Sequence, residues 1–388
     1  MARAGGQAGL LRVSRSMFSI SSLASARRAL FRFRKSRLDM VPSKLINSGY
    51  RKAPVAIWLL STAFLVLLMI GLGGYTRLSN SGLSMVRWKP VGYHYPMTEE
   101  EWEKEFSLYK QYPEYEFRPH MSLSEFKEIF NVEYAHRLFG NVLGGVFGLP
   151  MIYFWARGYF TPAMKRRTGI LLLLGGLQGL VGWWMVKSGL KEKAQYHVSP
   201  KVSTYRLIAH NLMAIFLYST LLFTGLSIWV KPMARGEAKP IFRYALVLVH
   251  LAACNLISGA AAAGIDAGSV YNTWPRMNGK FIPKDYWKPQ LGLRNFFENR
   301  ACVQFNHRMF GYITYTSVML MYYNSLQKGL PFKARFAMFA LLLLVNFQLI
   351  NGVHMVVTQV TVDKGMVHQS TGLMVWSFII FLLAIGKR

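Results

Sequence analysis

Eight apolar runs alternate with short polar connections along most of the chain. They fall near residues 55–75, 136–156, 169–187, 206–230, 243–264, 307–326, 336–356 and 366–386. A helix needs about 20 apolar residues to cross a bilayer, and Gly or Pro inside such a helix is tolerated there. The pattern predicts an all-α polytopic membrane protein with eight transmembrane helices.

The polar positions orient these helices. Arg157, Lys165, Arg166 and Arg167 follow the second run. Lys231, Arg235, Lys239 and Arg243, against Glu237, follow the fourth, and Lys328, Lys333 and Arg335 follow the sixth. Excess Lys and Arg in short loops marks the untranslocated side, and both termini fall on that side. The opposite side carries a long connection, about 77–132. Residues 99–133 hold ten of the seventeen acidic residues. Thr98 with Glu101, and Ser122 with Glu125, predict capping boxes that start two surface helices. Phe126, Ile129, Phe130 and Tyr134 would give the second an apolar face. The pattern leaves open whether this segment is a lid or a solvated connection.

The chain also repeats itself. EYAHRLFG at 133–140 matches QFNHRMFG at 304–311, and QGLVG at 178–182 matches QLING at 348–352. His210 and His368 both fall at the start of a run. Three matches in the same order predict two four-helix units, 51–235 and 236–388. Each unit crosses the membrane an even number of times, so the repeats run parallel. A four-helix bundle is a natural container for a cofactor held by facing side chains.

Composition agrees: 52% of residues are hydrophobic and 16% charged, where a soluble chain carries about 25% charge. The net charge of +29 resides largely in the loops and in a leader, which argues for membrane topology and against a nucleic-acid partner. Residues 1–38 carry nine Arg and Lys, many Ser and no acid. This is the composition of a mitochondrial presequence, so residues 1–50 are expected to be presequence and matrix-side leader, with both termini in the matrix. Cys254, in an apolar run, and Cys302, assigned to a loop, form no CxxC pair and suggest neither a disulfide framework nor a thiolate metal site.

Four of the nine histidines, His136, His210, His307 and His368, fall at the starts of the even-numbered runs. They therefore share one membrane depth near the outer surface, two per half. Bis-histidine haem ligation needs this arrangement, with one imidazole on each face of the iron. Helix N-termini carry positive partial charge, which would favour the neutral imidazole that iron requires. A single interfacial histidine is more often an ordinary polar residue; four in duplicated positions are not. Zinc needs three or four converging ligands, which two histidines per bundle do not supply. His250 and His354 have no counterpart in the repeat and are read as packing or hydrogen-bonding residues.

The repeat breaks at Glu133, which faces Gln304 in the second half. Glu133 lies three residues before His136, on one helix face with it. A carboxylate there is costly unless used. It is expected to act in catalysis, as proton acceptor or by steering developing charge. The bland alternative is an ion pair with Arg137. The asymmetry assigns chemistry to the first half and a resident haem to the second.

At these residues the chain resembles the haem A synthase family in its mitochondrial form. The likeness rests on GGYTRLSNSGLSM at 73–85, EYAHR at 133–137, QGLVGWWMVKSGL at 178–190, YRLIAH at 205–210, AGIDAGSVYNTWPRM at 263–277, QFNHR at 304–308 and HQ at 368–369. It runs from about residue 50 to 385. Some bacterial members carry a cysteine pair in the first outer loop, which is absent here. The resemblance implies oxidation of the C8 methyl group of haem O to a formyl group, through an alcohol and an aldehyde hydrate. The product, haem A, serves cytochrome c oxidase. It places substrate haem O between His136 and His210, makes Glu133 important to turnover, and places haem B between His307 and His368. It implies the mitochondrial inner membrane as location and a mitochondrial ferredoxin as electron donor. Haem O synthase, oxidase assembly factors and a second copy of the chain are further partners it suggests.

Two rivals share part of this pattern. A two-haem electron-transfer cytochrome would use the same histidines without substrate chemistry. A transporter built from parallel repeats would hold no haem. Arg77, Arg137, Arg206 and Arg308 lie near the same surface, facing either haem propionates or lipid phosphates. Asp266 and Asn272 carry no assigned role.

Overall fold

The computed structural model describes residues 45–89, 92–191 and 201–387. The basic leader at 1–38 and His197 lie outside the described residues. Residues 45–388 cluster as one compact unit. Its long helices are α1 (Ala53–Leu78), α4 (Leu123–Ala156), α5 (Pro162–Lys191), α6 (Thr204–Trp229), α7 (Arg235–Gly264), α9 (Arg300–Gln327), α10 (Phe332–Val357) and α11 (Val362–Gly386). Shorter helices lie outside the apolar zone: α2 (Glu99–Tyr109), α3 (Pro113–Glu116) and α8 (Asn295–Glu298).

Seven of the long helices are apolar enough over a sufficient length to span a membrane. The exception, α9, is as long, but Arg300, Gln304, Asn306, His307 and Arg308 crowd its first turns. The protein is thus an all-α polytopic membrane protein. In the first half, α1 packs on α4 and α6, and α5 packs on α4 and α6. In the second, α7 packs on α9 and α11, and α10 packs on α9 and α11. The halves meet where α6 touches α7 and α11, and where α1 touches α11. Gln369 Nε2 donates to the Ile70 carbonyl across this seam at 2.9 Å.

The basic connections share one face. Asn47 donates from Nδ2 to the Gly158 carbonyl at 2.7 Å, so the segment before α1 meets the turn after α4. Met233, after α6, donates its N–H to Ile385 at the end of α11. The tightly packed core lies toward this face: Trp58 and Leu59 of α1, Met151 and Phe154 of α4, Ile241 of α7 and Leu341 of α10 belong to it. The opposite ends of the same helices enclose a cavity.

Both predicted capping boxes form: Thr98 with Glu101 starts α2, and Ser122 with Glu125 starts α4. The second does not open a separate surface helix. It opens α4 itself, which runs unbroken to Ala156, so the expected start at 136 is thirteen residues late. Polar residues at 131–137 interrupt the hydropathy but not the backbone hydrogen bonding. Trp102, Phe106, Tyr109, Phe126, Ile129 and Phe130 bury one another together with Met85. Each such side chain is worth about 1.5–3 kcal/mol when fully buried, so the long outer connection is a folded cover with its own core. Cys302, expected in a loop, is buried in the first turn of α9.

Candidate haem-binding site

His136, His210, His307 and His368 all line one cavity of about 1810 Å³. Ligand pockets usually measure about 300–1,000 Å³, so this space has room for more than one large ligand. The cavity extends through both halves.

A glycine on a neighbouring helix backs every one of the four imidazoles. A Cβ at Gly73 of α1 would lie 3.1 Å from His136 Cε1, and one at Gly182 of α5 would lie 2.9 Å from His210 Cε1. In the second half the distances are 3.1 Å from Gly259 of α7 to His307 and 2.9 Å from Gly352 of α10 to His368. Each ring thus leans against bare backbone, and its position repeats between the halves. One turn before Gly182 and Gly352 stand Gln178 and Gln348. Gln178 Nε2 lies 3.5 Å from His210 Nε2 and donates to the His210 carbonyl at 3.0 Å. Gln348 Nε2 lies 3.3 Å from His368 Nε2. The glutamines meet the lone pair that a metal would take. The QGLVG and QLING matches contain both the Gln and the Gly, yet sequence reasoning drew neither into the site.

The rings of His307 and His368 have centroids 6.1 Å apart. Two imidazoles bonded to one metal from opposite faces, each at roughly 2 Å, have centroids about 6 Å apart. Ser258 Oγ lies 2.9 Å from His307 Nδ1; with Nδ1 as donor, Nε2 is left for a metal. His136 and His210 lie within electrostatic reach of each other. Buried opposed imidazoles, glycine backing and a cavity of this size fit iron porphyrin. Among the described residues no three His, Cys, Asp or Glu side chains converge on one point.

The helix-terminus argument does not hold. His136 lies thirteen residues into α4, and the other three lie in the second turn of their helices. The dipole effect fades within the first turn.

Glu133 is 3% exposed and fully engaged. Its Oε2 accepts from Ser84 Oγ at 2.7 Å and from the Met85 N–H at 2.8 Å. Its Oε1 pairs with Arg137 Nη2 at 2.5 Å. Arg137 also donates to the carbonyls of Met85 and Arg87. Acid and arginine together clamp the segment after α1 against α4. Gln304 and Arg308 repeat the clamp: Gln304 Nε2 and Arg308 Nη2 donate to the Tyr271 carbonyl at 3.2 and 2.8 Å, and Arg308 Nη1 donates to Thr273 at 2.9 Å. The ion pair with Arg137 is therefore present, and Glu133 also faces the cavity.

The clamps reveal a further repeat. Residues 73–88 and 259–274 correspond, with Gly, Gly and Trp shared at the first, tenth and last positions. Asn80 and Asp266, at one register, both adopt left-handed backbone, at φ 52° and 50°. Asn and Asp tolerate this region because their short polar side chains bond locally. Asp266 also pairs with Lys201 and with Arg77 of the other half. Arg77 donates to the Gly264 carbonyl at 3.1 Å, so this cluster ties the halves at the outer surface. Arg206 donates to the Trp184 carbonyl at 2.8 Å.

The cytochrome oxidase assembly protein family matches residues 56–380. The heme A synthase COX15 of Homo sapiens is 40% identical over 334 residues, covering 85% of this chain and 82% of its own. That of Saccharomyces cerevisiae is 37% identical over 366 residues, covering 86% and 75%. The heme A synthase of Caulobacter vibrioides is 39% identical over 323 residues, covering 82% and 92%. With nearly all of its membrane portion matched, the chain belongs to the cytochrome oxidase assembly protein family.

Proposed function

We infer that the chain is a haem A synthase, an oxidoreductase that converts the C8 methyl group of haem O into a formyl group in the mitochondrial inner membrane. Its eight long helices form two parallel four-helix bundles, 51–235 and 236–388. His136 and His210 hold the substrate haem O, and His307 and His368 hold haem B. Glu133 is required for turnover. The observation that carries the reading is the pair of imidazoles, each backed by a glycine, repeated in both halves around one cavity.

When bound, haem B supplies one-electron chemistry; the protein supplies position and environment. His136 and His210 fix the substrate ring. Gln178 and Gln348 hold the neighbouring His210 and His368 in place. Glu133 and Arg137 keep the segment 84–87 over the first pocket and place a buried ion pair beside it. The outer cover limits access of water from above. A mitochondrial ferredoxin donates electrons, and both termini lie in the matrix.

Supplying haem O and reduced ferredoxin to the purified protein should yield formyl-haem, identified by extraction and mass. An electron-transfer cytochrome would carry the same haem absorption and yield none. A protein with no haem absorption at all would sink both readings.

A further inference from the structure

The outer cover contains a second buried carboxyl, on the side facing the cavity. Glu114 sits on the single turn α3, is 4% exposed, and lines the cavity. Its Oε2 has no hydrogen-bond partner. The buried Tyr109 hydroxyl, at the end of α2, lies close to Glu114 without a well-aligned hydrogen bond to it. A buried polar atom left without a partner costs about 1–3 kcal/mol, so its retention calls for a reason.

The surroundings of Glu114 differ from those of Glu133. Arg118, beyond α3, and Glu133, on α4, are the charged groups that act on it, and Tyr109 is its titratable neighbour. The helix α5, which α3 touches, contributes Lys187 at its outer end, with Nζ 4.6 Å over the Trp183 ring. Glu133 has donors on both oxygens, one of them a guanidinium. Adding a proton there breaks an ion pair. Glu114 has a free oxygen, and a proton there removes a buried charge.

We propose that Glu114 is the proton-exchange residue of the first-half pocket, passing protons to and from water at the outer end of the cavity while Glu133 stays engaged with Arg137, Ser84 and Met85. This rests on the haem A synthase reading: turning methyl into formyl breaks two C–H bonds, so protons must move through this region. In the step itself the carboxylic O–H bond breaks, its electron pair stays on the carboxylate, and the proton joins a water oxygen. The reverse reloads the acid, and no electrons are transferred. Burial, opposed by Arg118 and reinforced by Glu133, pushes the pKa of Glu114 up to about 7, against about 4.3 for a free glutamate. A group near half protonation at working pH passes protons in both directions most readily.

The test is infrared titration of the full-length protein in lipid, as purified. Wild type should show a protonated-carboxyl band that fades as pH rises through about 7. The band should be lost in Glu114→Gln and kept in Glu133→Gln. Glu114→Gln should keep its haem, turn over about tenfold or more slowly, and lose the pH–rate limb near neutrality; Glu114→Asp should restore that limb. A band that persists in Glu114→Gln, or an unchanged pH–rate profile, overturns the proposal. If Glu114→Gln fails to fold, Glu114→Asp decides: a shifted titration supports the assignment and an unmoved one overturns it. A titrating Glu114 in a wild type that makes no formyl-haem would instead sink the enzymatic reading and leave the proton site standing.

Discussion

The two halves anchor their outer segments at the same register with different chemistry. In the first, Glu133 and Arg137 hold Ser84, Met85 and Arg87. In the second, Gln304 and Arg308 hold Tyr271 and Thr273. An amide performs the anchoring in one half, so anchoring alone does not account for the carboxylate in the other. Burying a charge costs several kcal/mol unless it is paired and hydrogen-bonded, and Glu133 is both, through Arg137, Ser84 and Met85. The difference between the halves is electrostatic: an ion pair in the first stands where the second has an amide beside a guanidinium.

Removing one ligand from either half gives the largest effect. His136→Ala should lower formyl-haem output at least about 100-fold and leave the haem B absorption in place. His307→Ala should remove that absorption. Extracted haem, resolved by chromatography, measures both, and equal loss of both haems from either variant would break the assignment of one haem to each half.

Exchanging the clamps gives an intermediate effect. Glu133→Gln copies the second half and should still bind haem, while unconverted or partly oxidised substrate accumulates and output falls by roughly 100-fold. Gln304→Glu should keep haem B and leave output near wild type. Normal haem A production by Glu133→Gln would show that the asymmetry has no catalytic meaning.

The glycines sharpen the comparison most finely. Alanine at Gly182 or Gly352 would put a methyl 2.9 Å from a ring carbon, against 3.1 Å at Gly73 or Gly259. Overpacking of this kind costs about 1–3 kcal/mol. Haem content after purification should fall more for Gly182→Ala and Gly352→Ala than for Gly73→Ala and Gly259→Ala. The order should be the same in both halves, and a different order would mean the two pockets are not built alike.

Much of this organisation was legible in the sequence. The hydropathy runs located the long helices because membrane helices satisfy their backbone internally and show apolar side chains to lipid. Capping boxes are local, so Thr98–Glu101 and Ser122–Glu125 were readable. The histidines stood out because His136 and His307 sit in matching stretches and His210 and His368 each open an apolar run. The start of α4 was missed because Asn131, Glu133, His136 and Arg137 face the cover and the cavity, where polarity is useful. The equivalence of 73–88 with 259–274 was hidden because few identities survive; what the two segments share is backbone, with left-handed Asn80 and Asp266 at one register. Gly73 and Gly259 were illegible as site residues because their contribution is the absence of a side chain. Glu114 lay in an acidic stretch whose charges look alike until folding buries one of them.

The continuity of α4 has a mechanical consequence. One stiff rod carries Phe126 and Phe130 of the roof, the Glu133 latch and the His136 ligand within roughly 20 Å. Lifting the roof would therefore tilt the His136 imidazole with it, and access from above and the ring's position in the cavity are geared together. In the second half His307 rides a helix that starts only seven residues before it. That imidazole has no such lever.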